Sequence, residues 1–211
     1  MNDDDLPSRL AGQLQGALPG RKAQARFEPE LGFGRHFAPS PDAREAAVVM
    51  LLYRDGGVWK LPLVLRPATL SSHGGQIGLP GGAIEPGELC QQAALRELHE
   101  ELGIEPAEVE LLGRPSPLFV FVSNFLVTPW LACHRGQPQF RPNADEVEEV
   151  LEVPLVHLLD PSQLGRYRRE FRGLTFTAPS ISFEDHCIWG ATAMMLGELI
   201  VLLEELASGA A

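Results

Sequence analysis

Gly81–Ile104, GGAIEPGELCQQAALRELHEELGI, is the stretch on which the reading of the whole chain turns. Its glycines open a loop. Glu88 to Leu102 then contain neither Gly nor Pro, and Gly103 follows, so the spacing predicts a helix over 88–102 with a glycine stop. At about 100° per residue, Glu97 and Glu101 stand one turn apart with Glu100 to the other side of Glu97, so the three carboxylates share a face while Leu95, Leu98 and Leu102 turn to the core. Three like charges in one place repel. A divalent cation would relieve the repulsion, and an all-oxygen donor set favours Mg²⁺ or Mn²⁺. Taken alone, ELHEEL equally describes an acidic face turned to water.

Working outward, AAVVMLLY from Ala46 is an apolar run of strand length, and VWKLPLVLR follows the turn Asp55-Gly56-Gly57 at hairpin spacing. A Gly-rich loop, SSHGGQIGLPGG, leads from this hairpin into the predicted helix. Beyond it, VELLG and PLFVFVSNFLVTPWLA promise more sheet, and ADEVEEVLEVPLVHLL a loop, a strand and a short helix. CIWGATAMMLGELIVLLEEL has the leucine spacing of a closing helix. The economical architecture is α/β, a mixed sheet flanked by helices, in a domain comprising residues 44–211. Residues 1–43, with a helical candidate near Leu6 to Leu18, read as an N-terminal extension packed on that domain.

The chain has 211 residues, enough for one well-buried domain. Its 28 acidic residues outnumber 17 Lys plus Arg for a formal charge of -11, which repels nucleic acid and anionic lipid and obliges a phosphate substrate to arrive with a cation. Three cysteines without CxxC spacing suggest neither a disulfide framework nor a thiolate zinc site. MNDDDLPSRL lacks the basic-then-apolar order of an export signal, and Glu198 interrupts the longest apolar run. The expectation is a cytoplasmic protein acting on a small molecule, with no nucleic-acid or membrane partner and with a homodimer left open.

Gly82, five residues, Glu88, seven residues, then Arg96, Glu97, Leu98, one residue, Glu100, Glu101, one residue, Gly103 and Ile104 match the Nudix signature at every constrained position. Such a string arises by chance in roughly one chain in 10⁶ to 10⁷. The sequence therefore resembles a Nudix hydrolase. The resemblance implies an α/β/α sandwich and metal-dependent hydrolysis of a nucleoside diphosphate linked to another group. It also implies that Glu97 and Glu101 are the principal metal ligands, that Glu100 contributes, that Glu88 pairs with Arg96 and orients the helix, and that Gly82 lets the backbone come close to the metal. The attacking water would lose its proton to a box carboxylate such as Glu97 or to Glu146 on a later loop, and both remain open.

Upstream, LPLVLRPATLSSHGGQIGLPGG resembles the element preceding the box in coenzyme A diphosphatases of this family. Arg66, Gly75, Pro80, Gly81 and Gly82 fall in register and His73 sits in the loop, whereas Pro67, Ser71 and Leu79 depart from the pattern, Ser71 standing in place of a second Arg. Arg66 could clamp a diphosphate with its bidentate fork or be an ordinary solvated Arg at a strand end, and His73 could bind substrate or be a loop histidine bonded to backbone, with Gly75 and Gly81 as further substrate-binding positions. The implied substrate is coenzyme A or a thioester of it, cleaved to 4′-phosphopantetheine and adenosine 3′,5′-bisphosphate. The alternative is another nucleoside diphosphate derivative, such as a dNTP, ADP-ribose or a nucleotide sugar. A non-catalytic nucleotide sensor would carry a broken box, and here every ligand position is intact. Trp189 and the Met194-Met195 pair read most simply as core packing.

Overall fold

Arg44–Asp55 form the long strand β1 on which the other elements are hung. In the computed structural model, which describes residues 4–30, 38–70, 73–171 and 173–209, β1 turns back through Gly56 and Gly57, at φ 55° and 85°, into β2 (Val58–Leu65). Only residues that tolerate positive φ close so tight a hairpin. Ser71 lies outside the described residues. On its other side β1 runs parallel to β7 (Phe125–His134), from Arg44↔Phe125 to Leu52↔Cys133. The short strand β4 (Gly81–Ala83) pairs antiparallel with the first half of β1, setting Gly82 opposite Ala47 and Gly81 opposite Val48. β3 (Ile77–Gly78) and β8 (Glu149–Pro154) flank β2, while β5 (Val109–Gly113) and β6 (Leu118–Val120) flank β7, completing a mixed eight-stranded sheet.

The alternation of β1 decides the layers. Ala47, Val49 and Leu51 pack against Ala93, Ala94, Leu98 and Leu102 of α3 (Cys90–Leu102). Met50 and Leu52, on the opposite face, join Leu196, Leu199 and Leu203 of α5 (Gly190–Ser208). The result is an α/β/α sandwich, and α3 lies directly beneath the Gly81-Gly82 strand.

Several elements differ from the sequence expectation. Helix α3 begins at Cys90 because Leu89 is extended and its N–H is taken by the Gln92 side-chain oxygen at 2.9 Å, which leaves Glu88 outside the helix. Its end at Gly103 is as the spacing predicts, at φ 69°. The start of CIWGATAM belongs to a strand, β11 (His186–Trp189), and Gly190 at φ 64° turns the chain into α5. A hairpin of β9 (Leu164–Phe171) and β10 (Leu174–Phe183) joins β11 in a separate three-stranded sheet. The charged RYRREF and the internal Pro179 hid this hairpin from the strand pattern. Leu155–Leu158 make the short helix α4 after β8.

Residues 4–30 contain α1 (Leu6–Gln13), which stops short of Leu18, and α2 (Gly20–Gln24). Leu6, Leu10 and Phe27 enter the same cluster as α5. Glu198 fastens this junction. Its carboxylate is 0% exposed and accepts from Gly20 N at 3.0 Å, Gln24 Nε2 at 3.4 Å, Ser116 N at 3.1 Å and Ser116 Oγ at 2.8 Å. Next to it, a Cβ on Gly197 would stand 2.8 Å from the Phe27 ring and 3.0 Å from Ala23 O, so a glycine is what lets α2 lie against α5. No helix among the described residues is long and apolar enough to cross a membrane.

Removing the buried acceptor strands several donors away from water. Glu198→Ala is expected to lower unfolding free energy by about 2–4 kcal/mol and Glu198→Gln by less, both measured by urea denaturation. A Glu198→Ala midpoint equal to that of the parent would show that the carboxylate does not fasten the junction.

Candidate active site

The site is built where β4 crosses above α3. A Cβ added to Gly82 would fall 2.4 Å from Glu97 Oε1 and 2.6 Å from Oε2, so the absence of a side chain is what gives this carboxylate its place. Gly81 is equally constrained. Its Cβ would meet Ala47 O at 2.3 Å and Val48 Cα at 2.6 Å, and its N–H donates to Glu101 Oε2 at 2.9 Å.

Two arginines divide the carboxylates between them. Arg96 forks onto Glu88, with Nε to Oε1 at 2.9 Å and Nη2 to Oε2 at 3.0 Å, and its Nη1 reaches Glu97 and Glu100, each at 2.8 Å. Its Nη2 also donates to Ala83 O at 3.1 Å, tying the helix to β4. Arg66, at the end of β2, donates through Nη2 to Glu101 Oε1 at 2.7 Å and to Gly81 O at 3.1 Å. The expectation of one uncompensated acidic edge is thereby corrected. Among the described residues no three His, Cys, Asp or Glu side chains already converge as a closed metal site, because Glu97 and Glu100 turn to Arg96 while Glu101 turns to Arg66.

Burial sets the proton affinities. Glu101 is 0% exposed, and desolvation pushes its carboxyl up to about 7 against the opposing pull of Arg66 and the Gly81 N–H. Burial also raises Glu97, partly offset by Arg96, whereas the Arg96 fork holds Glu88 below the usual carboxylate range. The negative charges of Glu97 and Glu146 add to the upward push on Glu101, so Glu146 belongs to the same electrostatic neighbourhood. The loop that carries it is hooked onto the end of α3, Arg141 N to Leu102 O at 2.8 Å and Asn143 N to Glu101 O at 3.0 Å.

The upstream loop closes at its neck, with Arg66 N to Gln76 O at 3.0 Å and Gly75 N to Arg66 O at 2.9 Å. Gly75 is there for its backbone, at φ 68° with open space where a Cβ would be. His73 also has positive φ, and its Nδ1 lies 3.0 Å from Gln76 Oε1. Arg66 and His73 line a cavity of about 320 Å³ that runs away from the box. Trp189 and Met194 line it too, and Met194 with Met195 also belongs to the core cluster, as the core reading of that pair expects. The signal lay in the small residues beside them, since Gly190 and Ala191 leave open the start of an otherwise leucine-rich helix. The Glu101–Arg66 pair, 35 residues apart, had no sequence signal.

The donor set fits a hard divalent cation. Carboxylates one helical turn apart, set against a glycine cradle that a Cβ would fill, are all-oxygen groups that could exchange part of their arginine pairing for a cation.

Comparison with known proteins gives the family. The family model for the NUDIX domain matches residues 43–173. An uncharacterised Nudix hydrolase NudL of Pectobacterium atrosepticum is 34% identical over 152 residues, 69% of this chain and 76% of that protein. NudL of Salmonella paratyphi B is 36% identical over 160 residues, 74% and 81% of the two chains. The mitochondrial Nudix hydrolase 15 of Arabidopsis thaliana is 32% identical over 183 residues, 79% of this chain but only 63% of that relative's length. Among solved structures, a Nudix hydrolase from M. smegmatis, RenU, aligns with a TM-score of 0.49 at 20% identity, over 79% of this chain and 87% of that one. On the family match and these identities, the chain belongs to the Nudix family and is a hydrolase of pyrophosphate bonds.

Proposed function

We propose that the enzyme hydrolyses the diphosphate of coenzyme A or its thioesters, releasing 4′-phosphopantetheine and adenosine 3′,5′-bisphosphate. The observation that carries this reading is Arg66. It occupies the register of the arginine in the coenzyme A diphosphatase element, and its guanidinium lies between the box carboxylate Glu101 and the adjoining cavity. A diphosphate at the box would meet that guanidinium as a bidentate partner while its remaining substituent continues into the cavity.

Nudix hydrolases work with divalent cations, and Glu97, Glu100 and Glu101, with the Gly82 backbone against them, are the groups that would hold Mg²⁺ or Mn²⁺ here. When bound, such a cation neutralises phosphate charge and polarises the phosphorus. The chain's own residues do the rest. Arg96 orients Glu97 and Glu100 from behind, and Glu88 fixes Arg96. Arg66 holds substrate oxygens and balances Glu101. The attacking water needs a proton acceptor. Glu97, Glu100 and Glu101 are engaged by arginines, whereas the Glu146 side chain has no hydrogen-bond partner among the described residues, which makes Glu146 the preferred general base.

With Mg²⁺ or Mn²⁺ and a panel of coenzyme A, acetyl-coenzyme A, ADP-ribose, nucleotide sugars and dNTPs, chromatography should show both named products from the coenzyme A compounds. Inert coenzyme A beside a consumed ADP-ribose or dNTP would overturn the substrate reading. Glu97→Gln and Glu146→Gln should each retain the fold by circular dichroism and lower kcat by about 10²- to 10⁴-fold. Parent-like turnover in Glu146→Gln would return the base role to a box carboxylate.

The proton affinity of Glu101 gives a pH prediction for the metal-free protein. Its folded-state value of about 7 stands above the ordinary 4.5, so the fold favours the protonated form. That contribution is present below the ordinary value and is lost as pH rises through about 7. In chelator, Tm should therefore fall between pH 5 and pH 8 more steeply in the parent than in Glu101→Gln, and Mg²⁺ should raise Tm more at pH 8 than at pH 5. Identical pH profiles for parent and Glu101→Gln would rule this out.

A further inference from the structure

The cavity beside Arg66 has a composition that the diphosphate chemistry does not require. Ile77 of β3, Leu118 and Val120 of β6, Phe176 of β10, Trp189 of β11 and Met194 of α5 line its interior. Its volume, about 320 Å³, is at the lower end of small-molecule sites. Of the polar side chains on the wall, Thr192 Oγ1 donates to Ile77 O at 3.0 Å, and His73 Nδ1 lies 3.0 Å from Gln76 Oε1. The Trp189 ring is engaged as well, with the Arg169 guanidinium carbon 5.3 Å from its centroid and the Tyr167 and Phe176 rings at 5.8 and 6.1 Å. Of the charged residues on the wall, Arg21 is paired with Glu28 at 3.4 Å. Against the wall of Phe176, Trp189 and Met194 a nucleobase would lose water from its ring nitrogens and amino group without gaining a polar partner there, whereas an alkyl chain would lose nothing.

We infer that this cavity is the subsite for the non-nucleotide arm of the substrate, and that it selects thioesters carrying a short to medium unbranched acyl chain over free coenzyme A. The inference rests on the coenzyme A reading and deepens it. The pantetheine arm leaves the diphosphate past Arg66, and the acyl carbons beyond the thioester meet the apolar wall formed by Phe176, Trp189 and Met194. Specificity then comes from the removal of methylenes from water, which acts on substrate binding rather than on the chemical step. Ala191, partly buried on the same wall at the start of α5, marks where the space can be narrowed by a larger side chain.

The test uses the full chain with Mg²⁺ and a series of free, acetyl, butyryl, hexanoyl and octanoyl-coenzyme A. kcat/KM should rise about two- to fourfold per methylene, mainly through KM, until the cavity is filled. In Ala191→Phe and Met194→Trp the ratio of octanoyl to acetyl kcat/KM should collapse toward unity. Comparing the two substrates within one variant separates this effect from any general loss of folded enzyme. Independently of turnover, octanoyl-pantetheine, which has no diphosphate, should change the tryptophan emission of the parent, and Trp189→Phe should remove that change. Hydrolysis of free coenzyme A with a flat chain-length profile and no emission change would overturn the subsite while leaving the substrate reading standing. Emission changes with octanoyl-pantetheine but no hydrolysis of any coenzyme A compound would keep the apolar-arm subsite and sink the substrate reading.

Discussion

Withdrawing the Glu101 carboxylate from solvent is the constraint that organises this molecule. A charge placed there needs compensation from fixed groups, and the fold provides it from two directions, the Arg66 guanidinium at the end of β2 and the Gly81 N–H of β4. Both groups must therefore meet above the last turn of α3. That meeting dictates the close passage of the glycine strand over the helix, the register of β4 on β1, and the tight neck of the loop between Arg66 and Gln76. The site is less a cluster of acids than a set of acids held apart by two cations.

This division explains how a chain of net charge -11 keeps so many acidic groups together. Arg96 binds Glu88, Glu97 and Glu100, with its second anchor on Ala83 O, so it is both a counter-charge and a mechanical tie between helix and sheet. The two arginines are not equivalent. Arg96 turns toward groups on its own helix and the strand above it, while Arg66 faces both a buried acid and an open cavity. The second is the one placed to exchange part of its bonding for a ligand.

Much of this was legible in the residues. The apolar run of β1 and the Gly-free run ending at Gly103 specify the sheet and the helix, because burial and backbone freedom act locally. The family resemblance anticipates the Glu88–Arg96 pair, whereas the turn of Glu97 and Glu100 toward Arg96 was not read from the spacing. What could not be read depends on groups far apart in the chain. Arg66 and Glu101 meet only because the strand order brings β2 beside β4 and α3, and Glu198 finds Ser116 and Gly20 only once α5 has docked. The β9–β10 hairpin escaped for another reason. Arg166, Arg168 and Glu170 share its outer face with Pro179, so propensity does not single it out.

The chamber beside Arg66 takes Phe176, Trp189 and Met194 from beyond residue 173 and Arg21 from before residue 43, outside the span that defines family membership, whereas every box carboxylate lies inside it. The chamber therefore joins residues inside that span, among them Ile77, Leu118 and Val120, to residues on either side of it, so a substitution in the flanking segments reaches its wall without touching a box carboxylate.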